Sequence, residues 1–157
     1  MRCRRLPLAT RLFALAGMLL LSACGGSEEP RAVVDIDSLA GKWATGAGAS
    51  LVFKADHTFD SQGLSLDPAL VRGCPSGTAD GNWAFFVDEG APGGLVGMDK
   101  KAQSGETVGV TFRDMPLGDC GITLSVIRDG SVLCVSMDLD QVCSFKERFT
   151  RLEKNRG

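Results

Sequence analysis

The feature that most constrains this chain is a series of short segments, from Leu39 to Leu152, in which apolar and polar residues alternate. In "SLVFKA" (50–55) Leu51 and Phe53 share one face, and in "GNWAFFV" (81–87) Trp83, Phe85 and Val87 do. "LAGKWAT" (39–45), "HTFDSQ" (57–62), "GLVGMD" (94–99), "TVGVTFRD" (107–114), "GITLSVIRD" (121–129), "SVLCVSM" (131–137) and "SFKERFTRL" (144–152) continue the pattern. A period of two gives each segment one buried face. Asp129-Gly130 reads as a type I′ hairpin turn, because both residues tolerate positive φ. Eight to nine short strands with mostly tight turns and little helix suggest a meander that closes on itself. Closure removes the open edges that invite aggregation. The expected fold is therefore all-β, a closed or nearly closed antiparallel up-and-down β-barrel with two disulfides. Its inward set is Leu51, Phe53, Phe59, Trp83, Phe85, Val110, Phe112, Leu124, Val126 and Val135.

The first residues differ from the rest. Arg2, Arg4, Arg5 and Arg11 precede an apolar run from Leu12 to Leu21, with no acidic residue. Ten apolar residues are too few to span a bilayer, which needs about 20. They suit a secretion signal. The run ends in Leu21-Ser22-Ala23-Cys24, which resembles the lipobox of bacterial lipoproteins. The resemblance implies cleavage before Cys24 and attachment of a lipid to its thiol. Residues 1–23 are then a removed signal peptide and 24–38 a lipidated Cys with a flexible tether. Residues 39–154 are expected to form the barrel domain. The protein is expected outside the cytoplasm, lipid-anchored to the cell envelope. In a Gram-negative cell that is the outer membrane, since Gly25 rather than Asp follows the Cys. In a Gram-positive cell it is the outer face of the cell membrane.

Cleavage there removes four arginines and no acidic residue, taking the formal charge from −2 to −6. An acidic chain of this kind is a poor nucleic-acid ligand, and its lipid must hold it without a basic patch. Tyr is absent and only 6% of residues are aromatic, which weighs against a base- or sugar-stacking surface.

Of six cysteines, Cys3 leaves with the signal and Cys24 carries the lipid, so Cys74, Cys120, Cys134 and Cys143 remain. An even number in an exported chain reads as two disulfides. The favoured pairing is Cys74–Cys120 with Cys134–Cys143. Alternation puts Cys134 outward but Cys143 in parity with inward Phe145 and Phe149, so Cys74–Cys143 with Cys120–Cys134 stays open.

One connection is long. "GLSLDPALVRGCPSGT" (63–78) carries Leu64, Leu66, Leu70 and Val71, with Asp67, Pro68 and Gly73 placed to start and end one helical turn. Long loops with their own apolar residues serve as lids, plugs or binding edges. These four residues are the candidate ligand loop at the barrel mouth.

The pattern "L-x-G-x-W … L-x-F-x-A-D-x-T-F … G-x-W" with a closing "RFTRL" resembles small lipocalin-like lipoproteins. That resemblance implies a first-strand Trp at the closed end of the barrel, here Trp43, with a basic residue across it. Arg151 fills that role, with Arg148 second, as a structural pair. The helix that larger lipocalins carry before the last strand has no counterpart here.

Catalytic constellations are sparse. His57, the only histidine, sits in "KADHTF", where a turn wants positive φ and a solvated tip is expected. Asp88 with Glu89, Asp114 with Asp119, and Asp138 with Asp140 are carboxylate pairs at strand ends, where Asp is ordinary turn chemistry. Asp138-x-Asp140 lacks the rest of a calcium loop. No enzyme activity, metal or cofactor is expected. Two functions fit a monomeric barrel beside a membrane. One is a non-enzymatic binding module for a small apolar ligand or lipid. The other is a protein-interaction barrel, such as an envelope inhibitor of a protease or lysozyme.

Overall fold

A computed structural model of the chain describes residues 29–66, 73–88, 96–116, 120–136 and 138–152. The expected signal peptide, Cys24 and the first residues of the expected tether lie outside them, as do Leu70, Val71 and the helical turn expected from Asp67. The elements are β1 (Val34–Asp35), α1 (Ile36–Leu39), β2 (Gly41–Ala44), β3 (Ser50–Phe53), β4 (Thr58–Leu64), β5 (Gly77–Asp88), β6 (Val96–Asp99), β7 (Ser104–Gly105), β8 (Thr107–Phe112), β9 (Gly121–Ile127), β10 (Val132–Ser136) and β11 (Arg148–Arg151).

Eight strands close an antiparallel barrel in the order β4-β3-β2-β11-β10-β9-β8-β5, with β5 paired back onto β4. The ninth strand, β6, is extra. Phe85 pairs with Val108 of β8 on one side and Asp99 of β6 on the other, so β6 takes the edge of β5 where β4 has run out.

The alternation that marks the strands also fills the barrel. Trp43, Phe59, Trp83, Phe85, Leu124, Val126 and Leu133 are all 0% exposed, so no water-sized space adjoins them, and Phe149 is buried with them. The expected inward set is buried throughout. Phe53, Phe59, Trp83, Phe85 and Phe112 form a chain of ring contacts, several edge-to-face, with centroids 5.3 to 6.2 Å apart. Edge-to-face packing suits the ring quadrupoles. An eight-stranded barrel is just wide enough to be filled this way.

The disulfides are Cys74–Cys120 and Cys134–Cys143. The parity conflict dissolves because Cys143 belongs to no strand. It takes φ 60° in a turn, and the chain resets its phase before β11. Cys134 faces out, while Phe145 and Phe149 are both buried. The bridge draws the chain over the outside of β9 and β10. There Ile127, Val132, Cys134, Val142 and Cys143 make a second, external apolar cluster. Beneath it Ser125 and Ser136 share a buried hydroxyl hydrogen bond, and the Cys143 N–H donates to Ser136 Oγ.

Two boundaries differ from the sequence reading. The tether expected over 24–38 already belongs to the fold from Arg31 onward. The Ala32 N–H donates to Val126 O, β1 pairs with β7, and Asp35 caps α1 by accepting from the Ser38 N–H. Val34 is buried, which composition alone did not reveal. The Asp129-Gly130 turn is also wider than two residues. Arg128, Asp129 and Gly130 all have positive φ, and two overlapping turns close at Gly130 N–H to Ile127 O and Ser131 N–H to Arg128 O.

Candidate functional site

The two ends of the barrel are built differently. At one end the chain enters, and α1 covers the interior with Leu39, which is 0% exposed. The Trp43 Nε1–H donates to Leu39 O at 2.8 Å, fixing the indole beneath the helix. Arg151 is the register partner of Trp43 and carries its guanidinium over that ring, 5.9 Å from the centroid. Its Nη2 donates to Ala40 O at 2.9 Å and to Asp37 O at 3.3 Å. The structure therefore brings Trp43 and Arg151 together, and Arg151 ties β11 to the end of α1. Arg148 does not approach Trp43. It bonds the carbonyls of Phe145 and Glu147 instead.

The entering segment is fastened at the same end. Arg128 holds Glu29 through Nε and Nη2, and Arg31 reaches Glu106 Oε1 and Leu139 O. Sequence reasoning missed these contacts, because they join residues about a hundred positions apart.

At the other end lie the longer connections. Cys74–Cys120 joins the segment after β4 to the segment before β9. Leu64 is buried in the core, and Leu66 packs half-buried against it. These two act as a plug at the mouth rather than an exposed lid. Beside them the rim is notched. A cleft of about 520 Å³ is lined by the β2–β3 hairpin (Thr45, Gly46, Ala47, Ala49), the end of β4 and Lys146–Phe149.

Among the described residues, the titratable groups do not assemble into a catalytic set. His57 takes φ 65° at its turn, but its ring is not a free solvated tip. It packs on Trp83 with centroids 4.5 Å apart, and Nδ1 lies 3.2 Å from Trp83 O. Asp56 accepts from the Thr58 hydroxyl and N–H, and these bonds hold its carboxyl below the usual value. Ser38 does the same for Asp35. Asp60, ion-paired at 2.7 Å, raises Lys54 above its ordinary value. Asp138 spends its carboxylate on the N–H groups of Asp140 and Gln141. Asp114 takes φ 64° at the end of β8, while Glu89 and Asp119 lie outside the described residues. No three His, Cys, Asp or Glu among the described residues are grouped to hold a metal.

Comparison of the chain with protein-family models, curated proteins and solved structures finds no match.

Proposed function

We propose that this chain is a lipid-anchored, extracytoplasmic lipoprotein of the cell envelope whose barrel is a rigid, non-enzymatic protein-interaction module, such as an inhibitor of an envelope hydrolase. One observation carries the choice between the two expected functions. A carrier of a small apolar ligand or lipid needs an internal cavity, and the side chains that would line one are buried to between 0% and 5% exposure. Recognition then falls to the surface. Disulfide-stapled segments at the mouth suit that use, because a rigid edge loses little conformational entropy on binding. The lipobox-like leader supports the anchor. Entry of the chain at the Trp43 end supports an orientation in which the mouth points away from the membrane.

Photo-crosslinking in the native envelope tests this reading. A benzophenone side chain at Ala47 or Ser65, on the rim, should yield one discrete protein adduct. Adduct formation only with lipid, or an unmodified chain after full photolysis, would sink the reading.

A further inference from the structure

We propose that the notch between the β2–β3 hairpin and the start of β11 receives an extended acidic peptide segment of a partner protein, added as a strand along the free edge of β11. This rests on the protein-interaction reading above and names its site and the partner's chemistry.

The notch exists because β2 and β3 are four residues each, against seven in β4 and twelve in β5. The short hairpin drops the rim. Hydrogen-bond directions along the last strand then expose an edge. The Arg151 N–H donates toward β10, to Ser131 O at 3.4 Å, and the Leu152 N–H donates toward β2, to Lys42 O at 2.9 Å. In an antiparallel ladder these directions alternate. The N–H and C=O of Arg148 are therefore directed to the β2 side. The register there ends at Thr150 with Ala44. Past that point the hairpin closes on itself, with Thr45 N–H to Ala49 O and Gly48 N–H to Thr45 O. Among the described residues no strand pairs with Arg148 on that side, and it faces the 520 Å³ cleft.

The walls suit a main chain. Gly46 and Ala47 are exposed, and a Cβ added at Gly46 would meet nothing within 4 Å. Leu64 and Phe149 lie at the base of the notch with their side chains buried in the core. Strand addition of this type draws affinity from backbone hydrogen bonds and specificity from neighbouring side chains. The neighbouring charges are Lys146 and Arg148, with Glu147 between them. None of the ion pairs among the described residues uses either cation, although Arg148 Nη1 donates to the carbonyls of Phe145 and Glu147. With two cations against one carboxylate, this edge is locally cationic on a chain whose form cleaved before Cys24 carries −6, and it selects an acidic segment.

The test is a phage-displayed library of linear heptapeptides panned on the full chain in detergent, followed by anisotropy titration of the enriched peptides. Enriched sequences should carry Asp or Glu beside β-branched residues. Their affinity should fall at least about tenfold both in Lys146→Glu and in Gly46→Trp, which fills the notch, with unfolding midpoints unchanged. N-methylation of the peptide's central amide should cost a similar factor. No enrichment, or undiminished binding to folded Gly46→Trp, overturns the proposal. Peptides that bind elsewhere defeat the notch but spare the protein-interaction reading. Peptides that bind the notch while rim crosslinking yields no protein adduct uphold the site and defeat that reading.

Discussion

The Arg151 guanidinium lies over the Trp43 indole while its Nη2 bonds the carbonyls of Asp37 and Ala40. One side chain thus joins the first and last barrel strands and the short helix between the entering segment and β2. Arg151→Ala should lower stability by about 1–2 kcal/mol, combining a cation–π contact with lost hydrogen bonds to carbonyls. Arg151→Lys should recover less than half, since an ammonium lacks the planar fork. Urea unfolding of both variants checks this, and full recovery by Lys would mean that charge alone matters.

The disulfides should differ in weight. Cys74–Cys120 spans 46 positions and Cys134–Cys143 spans 9. In the loop-entropy picture they contribute roughly 4 and 2.7 kcal/mol. Paired Ser substitutions should destabilise in that order. The Cys134/Cys143 double variant should also deprotect the Ser125 and Ile127 amides in hydrogen exchange, because the external flap is lost. Unchanged protection there would show that the flap holds without its bridge.

Two glycines should respond oppositely. A Cβ at Gly81 would lie 2.0 Å from Thr111 O and 2.8 Å from the Phe59 ring. Gly81→Ala therefore forces apart two paired strands and should cost at least about 2 kcal/mol. Gly46→Ala meets open space and should change stability by no more than about 0.5 kcal/mol. Thermal melts of the two variants would reveal a misplaced β5–β8 register if the losses were equal.

Acid should weaken two local turns. The carboxyls of Asp35 and Asp56 titrate below the ordinary 3.8 because Ser38 and Thr58 bond them. A depressed folded value means that the contribution is complete above the unfolded value and fades as pH falls through the folded one. The stability difference between the parent and Asp56→Asn should hold from pH 7 to about 5 and shrink below 3.8. A difference constant to pH 2.5 would remove the carboxylate from the turn's stability.

The proposed lipid anchor has its own check. Cys24→Ser should release the protein from envelope membranes into the soluble extracytoplasmic fraction. Retention in the membrane pellet would contradict lipidation at that thiol.

Much of the barrel was legible because its physics is local. Leu51 with Phe53, or Leu124 with Val126, reports burial two residues at a time, and a strand needs nothing else to declare its inner face. What alternation could not carry was any change of phase. Cys143 at φ 60° resets the parity before β11, and Gly63 at φ 64° accompanies a register shift in β4. Neither leaves a mark in hydropathy. Nor did composition separate Val34, buried against the closed end, from a loose tether. The deciding contacts there are with residues in distant strands. The notch was hidden for another reason. It arises where a short hairpin fails to pair with Arg148, and a missing partner has no sequence of its own. The small residues of "TGAGA" (45–49) were its only local sign.

A filled barrel is proposed here to work through its surface. Native mass spectrometry of the full chain, purified gently from its own envelope, tests it most directly. The expected spectrum shows the mass of the lipidated chain alone, or of that chain with a protein partner. A stoichiometric small apolar molecule that stays with the folded barrel and leaves on unfolding would contradict it.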